Sequence, residues 1–211
     1  MLKTFPVLTR SVLTANPSAL HAEGVLARSA LSDARGLVAQ TLHAHPDEIF
    51  FTSGATESDN LAILGVIRSW IKEGVPEKDI AVVTSELEHA GVVEPLNSFS
   101  GIFKITLPLA DGVVDLRGLQ FEPHIQKVLV SIIFVSNEIG TVQPIKEIAK
   151  TIRRIKKQYP ALSIIFHIDA TQAPLYQNLC VDKLGIDLMT LGATKLYTHR
   201  GVGVLYKKRS I

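Results

Sequence analysis

Residues 127–169 read KVLVSIIFVSNEIGTVQPIKEIAKTIRRIKKQYPALSIIFHID, and this stretch decides the fold. Lys127 to Val135 is the most hydrophobic run of the chain, strand-sized and interrupted by Ser131. Ile145, Ile148, Ile152 and Ile155 then recur at helical spacing, with Lys146, Lys150, Arg153, Arg154, Lys156 and Lys157 around the rest of the turn. The basic side reads first as a solvated helix face and second as a surface for an acidic partner. A second apolar run, Leu162 to Asp169, follows.

The same alternation extends in both directions. Glu23 to His45 reads as a helix stopped by Pro46, with Val25, Leu26, Leu31, Leu37, Val38 and Leu42 on a shared face. Glu48 to Thr52 reads as a short buried strand. Ala55 to about Lys72 reads as a helix with Leu61, Leu64, Ile67 and Ile71 on one side. Asp79–Thr84, Ile102–Leu107, Asp187–Leu191 and Gly201–Tyr206 are further strands. Nearly continuous apolar strands separated by helices imply an α/β fold, a mostly parallel sheet sandwiched by helices. In such sheets ligands bind just past the carboxyl ends of strands.

Composition narrows the function. At 211 residues, with 46% hydrophobic and 20% charged residues, the chain is no disordered tail, and it reads as a single domain over 1–211. Lys+Arg 22 against Asp+Glu 20 gives +2, too balanced to make nucleic acid or an anionic membrane the main partner. The single cysteine, Cys180, excludes an internal disulfide framework and fits a reducing compartment. No apolar run is long enough to span a bilayer. Lys3 and Arg10, with no acidic residue before Glu23, give a charge like that of a transit peptide but without a secretory apolar core. The expected address is cytoplasmic.

Four strand ends carry polar residues. Thr52-Ser53-Gly54-Ala55-Thr56-Glu57 turns from strand into helix, where free N–H groups favour an anion and Gly54 permits close approach. The alternative is an ordinary cap by Ser53 or Thr56. Asp169 can hold a cationic ring nitrogen or cap the next turn. Asn137 can donate to a ligand oxygen or order its own turn. Lys195 follows an apolar strand, where partial desolvation would make it a nucleophile for aldehydes; a solvated lysine is the other reading. An anion cradle, a strand-end carboxylate and a strand-end lysine together match what pyridoxal phosphate requires. His43 and His45 lie on opposite sides of a helix end and no Cys/His spacing fits zinc, so no metal is expected. A serine-hydrolase elbow is also absent from the sequence.

At NPSALH (16–21), FTSGATESDNLAI (51–63), TSELEH (84–89), VSNEIGTVQPI (135–145), HIDATQ (167–172), DLMTLGATKLY (187–197) and GVGVLY (201–206) the chain resembles the cysteine desulfurase family. These are class V aminotransferases of pyridoxal phosphate fold type I. The resemblance implies the large, cofactor-binding domain of that fold without most of the small domain. It implies a desulfurase acting on L-cysteine or a related amino acid, in sulfur metabolism and iron–sulfur cluster assembly. A homodimer or a complementing chain and a sulfur acceptor protein would be its partners.

By the same resemblance, Lys195 is the Schiff-base lysine and Asp169 the partner of the pyridinium nitrogen. His89 is the histidine stacked on the ring and shares the catalytic role of Lys195. Ala55 and Thr56 belong to the phosphate site, while Gln172 and Asn137 contact the ring hydroxyl and the substrate side. Thr194 stands where the family places a histidine beside the phosphate.

Departures accompany the match. The family's Ser-x-His before the lysine is Gly192-Ala193-Thr194 here, and its following Gly-Pro-Lys-Gly is Thr198-His199-Arg200-Gly201. Each charged hydrogen bond lost to a phosphate removes about 1.5–3 kcal/mol. Met1 aligns inside the family's first helix, and Ile211 falls before its substrate-carboxylate arginine and the loop bearing its sulfur-accepting cysteine. Cys180 lies in a connecting segment and reads as a small buried hydrophobe. A truncated non-catalytic remnant, or half of a split enzyme, is therefore the alternative to an active desulfurase.

Overall fold

Side chains that alternate between two faces of apolar strands need helices on both sides, and the computed structural model supplies them. It describes residues 15–117, 119–197 and 200–211, so the readings for residues 1–13 and for Thr198-His199 lie outside the described residues. Among the described residues the strands are β1 (Ile49–Thr52), β2 (Ile80–Ser85), β3 (Phe103–Leu107), β4 (Leu109–Ala110), β5 (Val113–Val114), β6 (Lys127–Ile133), β7 (Ser163–Asp169), β8 (Leu188–Gly192) and β9 (Gly203–Lys207). The helices are α1 (Ala22–Leu42), α2 (Ala55–Lys72), α3 (Ala90–Leu96), α4 (Ile145–Gln158) and α5 (Val181–Leu184).

Seven strands make one sheet in the order β1-β9-β8-β7-β6-β2-β3, and β4 and β5 form a small separate ribbon. The block β8-β7-β6-β2-β3 is parallel, and β9 runs antiparallel between β8 and β1. Its interior strands are buried along nearly their whole length, as their continuous apolar runs require.

On one face, α4 sets Ile145, Ile148 and Ile152 against Val128, Val130, Phe166 and Ile168. On the other, Ile63, Ile67 and Trp70 of α2 and Val92 of α3 meet Ile80, Val82 and Leu129. Ile148 is completely buried. Ile148→Ala is expected to cost about 2–5 kcal/mol, read as a lower urea midpoint at unchanged slope. An unmoved midpoint would mean that α4 does not anchor this layer.

Three sequence readings change. The first helix ends at Leu42, before Pro46, because His43 turns into the left-handed region (φ 55) and closes the helix with backbone bonds to Ala39 and Gln40. Val25, Leu26 and Leu31 are 40–55% exposed, because only the last turns of α1 reach the sheet, through Ala39 and Leu42. β1 is an edge strand with Phe50 45% exposed, not a buried one. By contrast α2 and α4 span 55–72 and 145–158 as their periodicity predicts. Among the described residues no helix is long and apolar enough to cross a membrane.

Candidate active site

The carboxyl ends of β6, β7 and β8 open toward the start of α2 and the turn before α3. A cavity of about 110 Å³ lies there, lined by Ala55, Asp59, His89, Ile133, Asn137, Asp169, Thr171, Gln172 and Lys195. Six of the residues expected from the sequence therefore meet in one place. Thr56 lines an adjoining groove that shares His89, and the exposed Thr194 lines neither. A larger concavity of about 880 Å³ lies between α2 and the bases of β6–β9, shares no residue with this cavity and contains none of the expected residues.

Asp169 sits at the last residue of β7 with its backbone locked on both sides. Its carbonyl accepts from Phe134 N–H at 2.8 Å, and Ala170 N–H reaches the Thr190 carbonyl at 3.0 Å. Its Oδ1 accepts the Thr171 N–H at 2.9 Å. Burial pushes its carboxyl above the usual range, opposed by Thr171 beside it and by the charge of His89. The Thr171 hydroxyl is itself buried without a hydrogen-bond partner among the described residues. A cationic ligand atom over Asp169 would offset that burial.

The anion seat differs from a capped helix. The residue before α2 is Gly54, and no side chain caps the helix. Ser53 is not available, because its N–H and hydroxyl both donate to Glu57 Oε2. The first-turn N–H groups thus keep their donor capacity. A side chain at Gly54 would meet open space among the described residues, and the chain's own close contact is at Gly203, where a Cβ would lie 2.4 Å from the Gly54 carbonyl carbon. At Gly192 an added Cβ would press on Ala55 Cβ and Thr171 Cγ2, each at 3.1 Å. The missing serine of the sequence comparison is thus a tight crossing in this chain.

His89 Nδ1 accepts the Gly91 N–H at 3.0 Å and caps α3, which fixes the ring's orientation beside the cavity. The Asn137 turn is ordered by Ser136, whose carbonyl receives Gly140 N–H and whose hydroxyl receives Glu138 N–H, so Asn137 is left exposed. Lys195 is likewise exposed, on a short 3-10 turn after β8, the solvated of its two readings. Cys180 is buried and free, as expected of a small hydrophobe. Among the described residues no group of three or more His, Cys, Asp or Glu is placed to hold a metal ion.

The class V aminotransferase family matches residues 9–211. The chain belongs to that family. This class V aminotransferase chain is 40% identical over 197 residues to cysteine desulfurase IscS of Dictyoglomus turgidum, covering 92% of this chain and 47% of that protein. Among solved structures, a NifS-like protein matches with TM-score 0.78 at 31% identity, over 92% of this chain and 52% of that one. A structure titled SspA in complex with cysteine matches with TM-score 0.77 at 34% identity, over 95% and 58%. The class V chain spans about half the length of the curated relatives it matches.

Of the cavity lining, Asp59, Ile133 and Thr171 escaped the sequence reading, as did Glu88 beside it, although all lie in stretches that reading quoted. Asp59 is 1% exposed on the same stripe of α2 as Ala62, Ile63 and Trp70, and a carboxylate on an apolar stripe was the available signal. Glu88 precedes His89 and ties its turn to β6, its Oε1 accepting Ser85 Oγ at 2.6 Å and Ile133 N–H at 2.9 Å. Burial pushes Glu88 up to about 8. His167, fully buried between Ser131 Oγ (2.8 Å) and Thr190 Oγ1 (3.1 Å), is pushed down to about 3 and is neutral.

Proposed function

We propose that residues 1–211 form the cofactor-binding domain of a pyridoxal-phosphate-dependent cysteine desulfurase. The observation that carries this reading is the meeting of Asp169, His89 and Lys195 in one cavity beside the uncapped start of α2. The donor set fits the cofactor. The first-turn N–H groups of Ala55 and Thr56, with the Thr56 hydroxyl, would hold a phosphate. Asp169 would pair with a cationic ring nitrogen, whose charge answers the burial of the carboxylate. Gln172 and Asn137 would reach the ring hydroxyl and the substrate, and the unpartnered Thr171 hydroxyl is available beside them. Lys195 presents an amine for an aldehyde, and His89 offers a ring face held by its cap on α3.

When bound, pyridoxal phosphate supplies an electron sink for cleaving bonds at an amino acid's carbons. Lys195 Nζ would carry the proton to and from the substrate, and its exposed turn leaves it free to do so. Asp169, held by the Thr171 N–H, would keep its negative charge against the ring. The sulfur leaves L-cysteine toward a thiol that Cys180 cannot supply, since Cys180 is 5% exposed and caps α5 away from the cavity lining. That thiol would come from another segment or chain. We assign a homodimer or a complementing chain, a sulfur acceptor protein and a cytoplasmic site of action to the same reading. It is supported by the cysteine desulfurase name of the relatives and by exposed apolar residues near the cavity's neighbouring turns, including Ile139 and Tyr176.

The test is a titration of purified protein with pyridoxal phosphate. A saturable absorbance band in the visible is expected. Protein that stays colourless with excess cofactor ends the proposal. Sulfide release from L-cysteine by the coloured protein, with and without a thiol-bearing partner chain, then distinguishes a whole activity from half of one.

A further inference from the structure

Two carboxylates line one small cavity, and they are unequally provided with donors. Asp169 accepts the Thr171 N–H and faces the charge of His89. Asp59, across the cavity on α2, is 1% exposed, and its Oδ1 has no hydrogen-bond partner among the described residues. The nearest basic atom is His167 Nε2 at 3.8 Å, too far for a hydrogen bond, and that ring is occupied by Ser131 and Thr190. With His167 neutral, no charged basic atom lies within 4 Å of Asp59 among the described residues. Like charges in one desolvated site cannot both ionise cheaply, so a single proton settles on the carboxyl with fewer donors.

We infer that Asp59 holds a proton at neutral pH, as a positioning residue that leaves Asp169 the anionic carboxylate of the cavity floor. The groups facing Asp59 are His167 and Asp169 on β7, Glu88 and His89 on the turn before α3, and Lys195 after β8. The hydroxyl of Thr190 on β8 favours the charged form, and the charges of Asp169 and Glu88 oppose it. His167 serves the arrangement by staying neutral: with its proton on Nε2 it donates to Thr190, freeing the Thr190 hydroxyl to turn toward Asp59. The inference concerns the chain's own carboxyls. Its bearing on the ring nitrogen rests on the proposed function, but its test does not.

Burial lifts Asp59 to about 8, against about 3.9 in an unfolded chain. The folded state therefore binds the extra proton between those values. Stability from this group is greatest at low pH, falls as pH rises through the window, and levels off above about 8. Asp59→Asn removes the titration and keeps the shape. Urea unfolding of the cofactor-free chain should show the variant gaining on the wild type by up to tenfold in folding equilibrium constant per pH unit from about 5 to 8. Parallel profiles would overturn the inference. Should the variant fail to fold, the wild type answers alone: the carboxyl ¹³C resonance of Asp59 should titrate near pH 8, and titration near pH 4 would overturn it. The visible band with pyridoxal phosphate is read separately. Its absence in the wild type would count against the cofactor proposal without touching the proton.

Discussion

Lys195→Ala is expected to abolish the visible band with pyridoxal phosphate while leaving the fold unchanged. The two halves of this expectation have separate causes. Lys195 lies on the turn Ala193–Leu196, is solvent-exposed, and fills no part of the core. Surface substitutions of that kind move stability by within about 0.5 kcal/mol. Its amine is nevertheless the lysine amine in the cavity that also holds Asp169 and His89. Without it the aldehyde has no lysine to condense with there, so the band disappears rather than shifting. A variant that unfolds at the wild-type urea midpoint but stays colourless meets both halves. A band of undiminished intensity would mean that another lysine carries the cofactor and that the cavity is wrongly assigned.

Gly203→Val should be the most damaging change to the fold. A Cβ at this position would lie 2.4 Å from the Gly54 carbonyl carbon, 2.5 Å from its oxygen and 2.5 Å from Thr52 Oγ1. Two of those atoms are backbone and cannot swing aside. Gly203 also pairs with both Thr52 and Gly192, so β1, β9 and β8 must separate to admit a side chain. Overpacking against rigid neighbours costs about 3 kcal/mol or more, a large share of the 5–15 kcal/mol that stabilises a typical domain. The measurement is the urea midpoint, followed by cofactor titration of whatever remains folded. Because the Gly54 turn opens α2, cofactor affinity should fall with stability. A variant as stable as the wild type would show that β9 does not brace this turn.

Much of the architecture was legible because burial imposes period. The stripe Ile145, Ile148, Ile152 and Ile155 marks α4 to the residue, and the unbroken apolar runs at β2, β6 and β7 mark interior strands. Periodicity failed where contacts are made at a distance. Nothing local in Ile49–Thr52 says that its partner is β9, more than 150 residues on, or that β9 runs antiparallel. Nor did the apolar residues of α1 disclose that Val25 and Leu26 face outward, since that depends on where the sheet stops. α3 and the β4–β5 ribbon went unread because each is too short to establish a period.

Chemistry at strand ends pointed to the turn before α2, Asn137, Asp169 and Lys195, the family resemblance added His89, Gln172 and the role of Ala55, and these residues do gather in the cavity. The structure adds how they are held. Glu57 occupies Ser53 and so spares the helix start, and His89 is oriented by the backbone it caps. Gly54 borders open space at the helix start, and the crowded glycine is Gly203. Asp59 stayed hidden because its stripe reads as ordinary core until its neighbours are seen.

The antiparallel insertion of β9 also sets an order of events during synthesis. Arg209 N–H donates to Glu48 Oε1, and its guanidinium donates to Asp47, closing contacts between residues more than 160 positions apart. Until residues 203–209 leave the ribosome, β1 has no neighbour in the sheet and the Gly54 turn has nothing to rest on. The parallel block can begin to assemble on the nascent chain, but the seat for an anion at α2 is completed only once residues 203–209 have emerged. Pairings of such long range fold slowly. A nascent chain that has not yet released residues 203–209 would therefore carry its ligand cavity unfinished.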